Sequence, residues 1–218
     1  MALLTTSQII DQAMQAAGNT NIQTWCLAQL NAFLRRFHRK NSFPFLQKLD
    51  ETLTTTASQA YTSYATITDF WKPRIVQFKV GTTLYPVRPL PGGLAAYFAD
   101  TSRLVGSSRP SRYALDRANA RIYWADGIPS AVETIDLFYQ AEQANLALAD
   151  TPAIVTHTEG GELFLIYALQ KEIKIRMGEF QEAAALSPLA KLYEDEVLAQ
   201  RLDDEDEVPE ENLNKAYT

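Results

Sequence analysis

The stretch Glu159–Leu202, EGGELFLIYALQKEIKIRMGEFQEAAALSPLAKLYEDEVLAQRL, decides how the rest of the chain must fold. Ile166, Leu169, Ile173 and Met177 recur at the spacing of one buried helix face. Thr156 and Glu159 stand at capping-box spacing ahead of that helix. Gly178 follows Met177, where a left-handed residue closes a helix at least cost. The spacing then predicts a second helix, with Ser187 as N-cap and Pro188 at its first position. Leu189, Leu192, Tyr193 and Val197 form its apolar stripe. Two such amphipathic segments cannot bury their faces alone. Comparable partners lie only at the other end of the chain, so helices from both termini are expected to close on one another.

The N-terminal partners read clearly. Thr5 and Gln8 have capping-box spacing, and Ile10, Ala13, Met14 and Ala17 follow on one face. Gly18-Asn19 ends that helix. Asn21 is positioned to cap a second one, whose stripe is Leu27, Leu30, Leu34 and Phe37. Arg35, Arg36, Arg39 and Lys40 crowd its end, where cations complement the helix dipole. Pro44 stops it.

Between Asp50 and about Tyr139 the texture turns to threonine, tyrosine, valine and isoleucine. Thr52–Thr56, Tyr64–Ile67, Ile75–Val80, Thr83–Val87, Tyr113–Leu115, Ile122–Trp124 and Thr134–Tyr139 are predicted strands. Gly81 is the expected hairpin turn and Leu94–Asp100 a short helix. The expected class is α+β. A helical bundle built from the N- and C-terminal helices (1–49 and 150–202) carries an inserted, mainly antiparallel β lobe with its linker (50–149), and an acidic tail (203–218) follows.

The composition bounds the chemistry. The formal net charge of −6 argues against a dedicated nucleic-acid binder. One cysteine, Cys26, excludes an intrachain disulfide and a cysteine-rich zinc module, and its helical setting reads as a buried thiol. No apolar run is long enough for a membrane span, and the opening MALLTT lacks a secretory n-region and apolar core. His38 and His157 have no ligand at metal spacing. No GxSxG elbow or phosphate-binding loop is present. Asp203–Glu207 lacks the spacing of a calcium loop and reads as solvated tail. No catalytic, cofactor or metal site is expected.

What stands out is a run of arginines in the β-lobe loops: Arg103, Arg109, Arg112, Arg117 and Arg121, with only Asp116 nearby to offset them. Arg109, Arg112 and Arg117 are candidates for an interface with an acidic partner, beside the plainer reading of solvated loops.

Several segments resemble one family. Leu30-Asn31-Ala32-Phe33-Leu34 and Ser42-Phe43-Pro44-Phe45-Leu46 are similar to its N-terminal helix and the aromatic-proline turn after it. Tyr113-Ala114-Leu115, Arg121-Ile122-Tyr123-Trp124 and Thr134-Ile135-Asp136-Leu137-Phe138-Tyr139 resemble its later strands, and Glu162–Met177 with Phe180–Tyr193 its paired C-terminal helices. The family is the head-to-tail adaptor (connector) proteins of tailed bacteriophages, including the tubular adaptors of short-tailed phages. The order of the segments carries the likeness. Trp124-Ala125-Asp126 departs from it, standing where a proline-rich turn is expected.

The resemblance implies a structural virion protein assembled in the host bacterial cytoplasm. Copies of it would form a closed, dodecameric ring joining the portal protein to a tail or nozzle protein. Genomic DNA would pass through the channel without specific binding, which the negative net charge suits. The resemblance also implies that the tail docks on the portal, with Leu213 and Tyr217 as apolar anchors. A tail terminator, a head-completion stopper, and an unrelated small-ligand-binding domain or enzyme are the alternative readings.

Overall fold

Thr5 and Gln8 form the expected capping box. The Thr5 N–H donates to Gln8 Oε1 at 2.9 Å, and the Gln8 N–H donates to Thr5 Oγ1 at 3.4 Å. They start helix α1 (Thr6–Ala17), which Gly18 ends in the left-handed region. Helix α2 (Gln23–Lys40) follows, but Asn21 does not cap it. The cap is Ile22, without a side-chain bond, and the Asn21 N–H turns back to Asn19 Oδ1 at 3.2 Å. The computed structural model describes residues 3–100 and 109–205, the segment 201–205 as helix backbone only. The chain divides into two compact units, Met1–Phe45 with Gln143–Thr218, and Leu46–Glu142.

The first unit is helical. Besides α1 and α2 it holds α4 (Ala153–His157), α5 (Gly161–Arg176) and α6 (Phe180–Glu205). Ile9, Ile10 and Ala13 of α1, Leu30 and Leu34 of α2, Leu165, Leu169 and Ile173 of α5, and Val197 of α6 share one buried core. Residues predicted for the core at both chain ends therefore share one cluster, but Met177, Leu189 and Leu192 of the predicted faces are exposed.

The predicted Thr156–Glu159 capping box does not form. Thr156 lies inside α4, and Gly160 stands at the N-cap of α5. Gly161 marks a close approach, since a Cβ there would sit 2.6 Å from the Ile154 carbonyl oxygen. The predicted start at Ser187-Pro188 is also corrected, because α6 runs through Pro188 without a break. A proline inside a helix deprives the carbonyl four residues back of its donor. That carbonyl belongs to Ala184, which is exposed, so water can take the place of the lost N–H. Ser187 Oγ meanwhile donates to the Ala183 carbonyl at 3.3 Å.

The second unit is a sheet of seven strands among the described residues: β1 (Gln47–Thr54), β2 (Tyr61–Ser63), β3 (Phe70–Val80), β4 (Thr83–Pro89), β5 (Arg112–Asp116), β6 (Arg121–Ala125) and β7 (Thr134–Ala141). Their order is β1-β7-β3-β4-β5-β6-β2. Every neighbour pair is antiparallel except β4 with β5. The sheet curls, and Val76, Phe78, Trp124, Ile135 and Leu137 fill its inner face. A short helix α3 (Gly93–Ala99) packs Tyr97 against Ala114 and Ala125.

Two sequence expectations shift here. The strand expected at Tyr64–Ile67 is a turn, in which the Ile67 N–H donates to the Tyr64 carbonyl at 2.9 Å, and the strand lies one step earlier. The division between units falls at residues 45/46 and 142/143, where the sequence placed it at 49/50 and 149/150. At the first boundary, β1 starts at Gln47. At the second, the supposed linker belongs to the helices. Asn31 holds it through Leu146 N–H to Oδ1 at 2.8 Å and Nδ2 to the Leu146 carbonyl at 3.1 Å. The Thr6 N–H reaches the Asp150 carbonyl at 2.7 Å.

Candidate interaction surfaces

Of the arginines singled out in the β unit, the four described, Arg109, Arg112, Arg117 and Arg121, are engaged within the fold. Arg109 meets Glu133 as a fork, Nε to Oε2 at 3.1 Å and Nη2 to Oε1 at 2.8 Å. Its guanidinium also lies 4.0 Å from the centre of the Tyr85 ring. The hydrogen bonds that Arg109 donates to Glu133 hold its pKa above the ordinary value. Arg112 pairs with Asp126 at 3.3 Å. Arg117 lies over Trp71 at 4.7 Å, and Arg121 over Tyr61 at 4.3 Å. Arg103 is outside the described residues, as are Leu213 and Tyr217.

The expectation that only Asp116 offsets these cations is therefore wrong. Glu133 and Asp126 do so, brought close by the sheet. Asp116 itself serves its own turn, accepting the N–H groups of Ala118 at 3.1 Å and Asn119 at 3.2 Å, with Asn119 Nδ2 at 2.8 Å on the other oxygen. Its carboxyl is held below the usual range, first by that Asn119 side-chain bond.

A second surface was missed in the sequence. Helix α6 buries Ala183 and Val197, and Tyr193 stacks on Tyr167 of α5 with ring centres 5.5 Å apart. That consumes one face. On the others, Phe180 is 67% exposed, Leu189 40% and Leu192 60%. Ile175 and Met177, just before α6, are exposed as well. The signal was present: Ala185, Pro188, Leu189 and Leu192 repeat at helical spacing, which gives α6 a second apolar stripe. Leu189 and Leu192 were expected in the core with Val197, and the structure separates them from it.

A concave site of about 750 Å³ opens where α4 meets α5, lined by Leu3, residues 155–163 and Gln200. Several of its polar groups are already paired within the fold. The Glu159 N–H donates to Gln200 Oε1 at 2.6 Å, Gln200 Nε2 to the Glu159 carbonyl at 3.0 Å, and the Leu4 N–H to Glu162 Oε1 at 3.1 Å. His157 beside it stacks flat on Phe45, with ring centres 5.0 Å apart. Among the described residues no three His, Cys, Asp or Glu side chains are arranged to hold a metal ion. Burial pushes the Cys26 thiol up to about 11, as far from a reactive thiolate as a cysteine commonly lies. No helix among the described residues is long and apolar enough to cross a membrane.

No family model matches the chain, and no curated protein matches it in sequence.

Proposed function

We propose that this protein is a structural subunit that assembles with copies of itself into a closed ring and joins two larger bodies. On the sequence resemblance, it is the head-to-tail adaptor of a tailed bacteriophage. The portal would lie on one side and the tail or nozzle on the other, with DNA passing through the ring. In this reading the helices of both chain ends form a bundle that serves as the scaffold. The inserted β unit supplies a second set of surfaces, and the protein is a component of the virion.

The observation that carries the reading is the second apolar face of α6. A helix already packed on its neighbour has no reason of its own to present Phe180, Leu189 and Leu192 to water, and an apolar surface rimmed by charge is characteristic of an interaction site. A ring needs heterologous contacts, one patch meeting a different one on the next copy. Exposed Leu49, Leu84, Phe98 and Val132 in the β unit offer apolar surface of the complementary kind.

The direct test is mass in solution, with and without portal. The expected result is a discrete closed oligomer, alone or once portal is added. A chain that stays monomeric in both conditions sinks the adaptor reading. A closed oligomer that fails to bind portal but caps a tail tube moves the assignment to a tail terminator.

A further inference from the structure

Helix α5 packs on both α2 and α6 and sets their directions. Trp25, at the start of α2, lies 4.6 Å under the guanidinium of Arg176 at the end of α5. Phe37, late in α2, meets Phe164 early in α5, with ring centres 4.9 Å apart. So α2 runs antiparallel to α5. Helix α6 does the same: Lys174 pairs with Glu182 at 2.6 Å, Tyr167 stacks on Tyr193, and the Glu159 N–H reaches Gln200. Two helices antiparallel to a third run parallel to each other. Their heights follow as well. Trp25 is level with the first turn of α6, and Phe37 is level with the turn between Tyr193 and Gln200.

At those heights the exposed faces of α2 and α6 are complementary. Helix α6 shows Ala185, Leu189, Leu192 and then Glu196 at helical spacing. Helix α2 shows Ala28, Ala32, Arg36 and Lys40, all exposed. The leucines stand at the height of the alanines, so large side chains face small ones and two helices can approach closely. Glu196 stands at the height of Arg36 and Lys40. Lys191, the nearest cation on α6, pairs with Glu194 and Asp195, and Arg36 Nε donates to the Ala32 carbonyl of its own helix at 3.3 Å. Glu196, Arg36 and Lys40 thus form no ion pair among the described residues. In the β unit, by contrast, the cations beside exposed Leu84 and Val132 are Lys79 and Arg109, and Glu51 and Glu133 already meet them.

We infer that α6 of one copy receives α2 of the next, the two helices parallel, with Leu189 and Leu192 over Ala28 and Ala32 and Glu196 against Arg36 and Lys40. This rests on the self-assembling reading and names the two faces that meet. A neighbour generated by rotation about an axis along the helices presents α2 in the required direction. Because the matching groups already share a height, the contact repeats without axial rise, which closes a ring where a rise would grow a filament.

Cysteine cross-linking of the full-length chain tests it, since Cys26 is buried and out of reach. Ala32→Cys and Leu192→Cys, both at exposed positions, are made as separate chains and as one double variant. After mild oxidation neither single variant should cross-link alone. Their mixture should give dimers containing one chain of each kind, and the double variant a ladder of multimers. Glu196→Lys in the double variant should lower the yield about threefold or more in low salt, and adding Arg36→Glu with Lys40→Glu should restore it. Dimers of the Leu192→Cys chain alone overturn the inference and assign α6 to a symmetric contact. A discrete oligomer in sedimentation without cross-links in the mixture overturns it and leaves self-assembly standing. A yield indifferent to Glu196→Lys overturns it too, because charge selects α2 as the partner. A chain monomeric throughout, alone and with portal, overturns both readings.

Discussion

His38 shows what burial does to a single residue. It lies in the last turn of α2 among basic neighbours, yet it is only 3% exposed. Phe37, Phe43 and Phe45 surround its ring, with centroids at 6.0, 5.3 and 5.9 Å. Neither ring nitrogen has a hydrogen-bond partner among the described residues. Burial lowers its pKa from 6.5 to about 4. Between those values the unfolded chain binds a proton that the folded one does not. Stability is therefore complete above about pH 6.5, falls as the pH drops toward 4, and changes no further below that. The loss attributable to His38 is about 3 kcal/mol. His38→Leu should flatten that part of the stability–pH curve, and urea melts of both proteins at pH 4.5 and 7.5 measure it. An unchanged slope would show that the imidazole is not held neutral. From the sequence His38 shows only an absence of metal ligands, and its burial is not legible there because the rings that cover it come mostly from beyond the helix stop. The β-unit arginines misled for the converse reason. Glu133 lies 24 residues beyond Arg109, and only the sheet brings the two together. Arg109→Ala should cost the isolated protein about 1 kcal/mol, less at high salt, since the pair is partly exposed. A null effect on thermal unfolding in low salt would return Arg109 to the free-surface role first assigned to it.

At the scale of elements, local signals succeeded where they agreed with packing and failed where packing overruled them. The Thr5–Gln8 box was legible because cap and apolar face pointed to the same start. Ser187-Pro188 is an equally good local start signal, but Ala183 is already buried in the helix that precedes it. Packing of α6 on α5 holds both sides of the proline in one helix. Pro188→Ala should then stabilise the protein by about 1–3 kcal/mol, because it restores the bond to the Ala184 carbonyl. No gain in the urea midpoint would mean that Pro188 is a true start after all. The leucines just beyond it test the proposed assembly face. Leu189→Ser with Leu192→Ser should move the folded monomer's midpoint by no more than about 0.5 kcal/mol, since both are exposed. The same pair should lower the oligomer population at least tenfold in sedimentation. Loss of fold without loss of assembly would place these leucines in a core, as the sequence first had them.

At the scale of the molecule, the closed layout was legible because apolar stripes at both chain ends have no other partners, whereas the unit boundaries were not. Asn31 and Thr6 recruit the 143–150 segment by hydrogen bonds to its backbone, a contact that leaves no trace in hydrophobic periodicity. The division has a mechanical consequence. Gln47 pairs with Gln140, so the β unit is entered and left at adjacent points on neighbouring strands. Each unit also has its own buried core, Leu30, Leu34, Leu165 and Ile173 in one, Val76, Phe78, Ile135 and Leu137 in the other. Replacing Leu46–Glu142 by a short Gly-Ser linker should therefore leave a helical protein that folds by itself, because the ends to be joined are already close. Leu34→Ala and Ile173→Ala should each cost that shortened protein about 2–5 kcal/mol, as in any tightly packed core. In the full chain the same changes should lower the helical transition and leave the exchange protection of β3 and β7 in place. If the shortened protein shows no cooperative melt by circular dichroism, or if Leu34→Ala releases β7 to the same degree as α5, the two cores fold as one and the insertion is not autonomous.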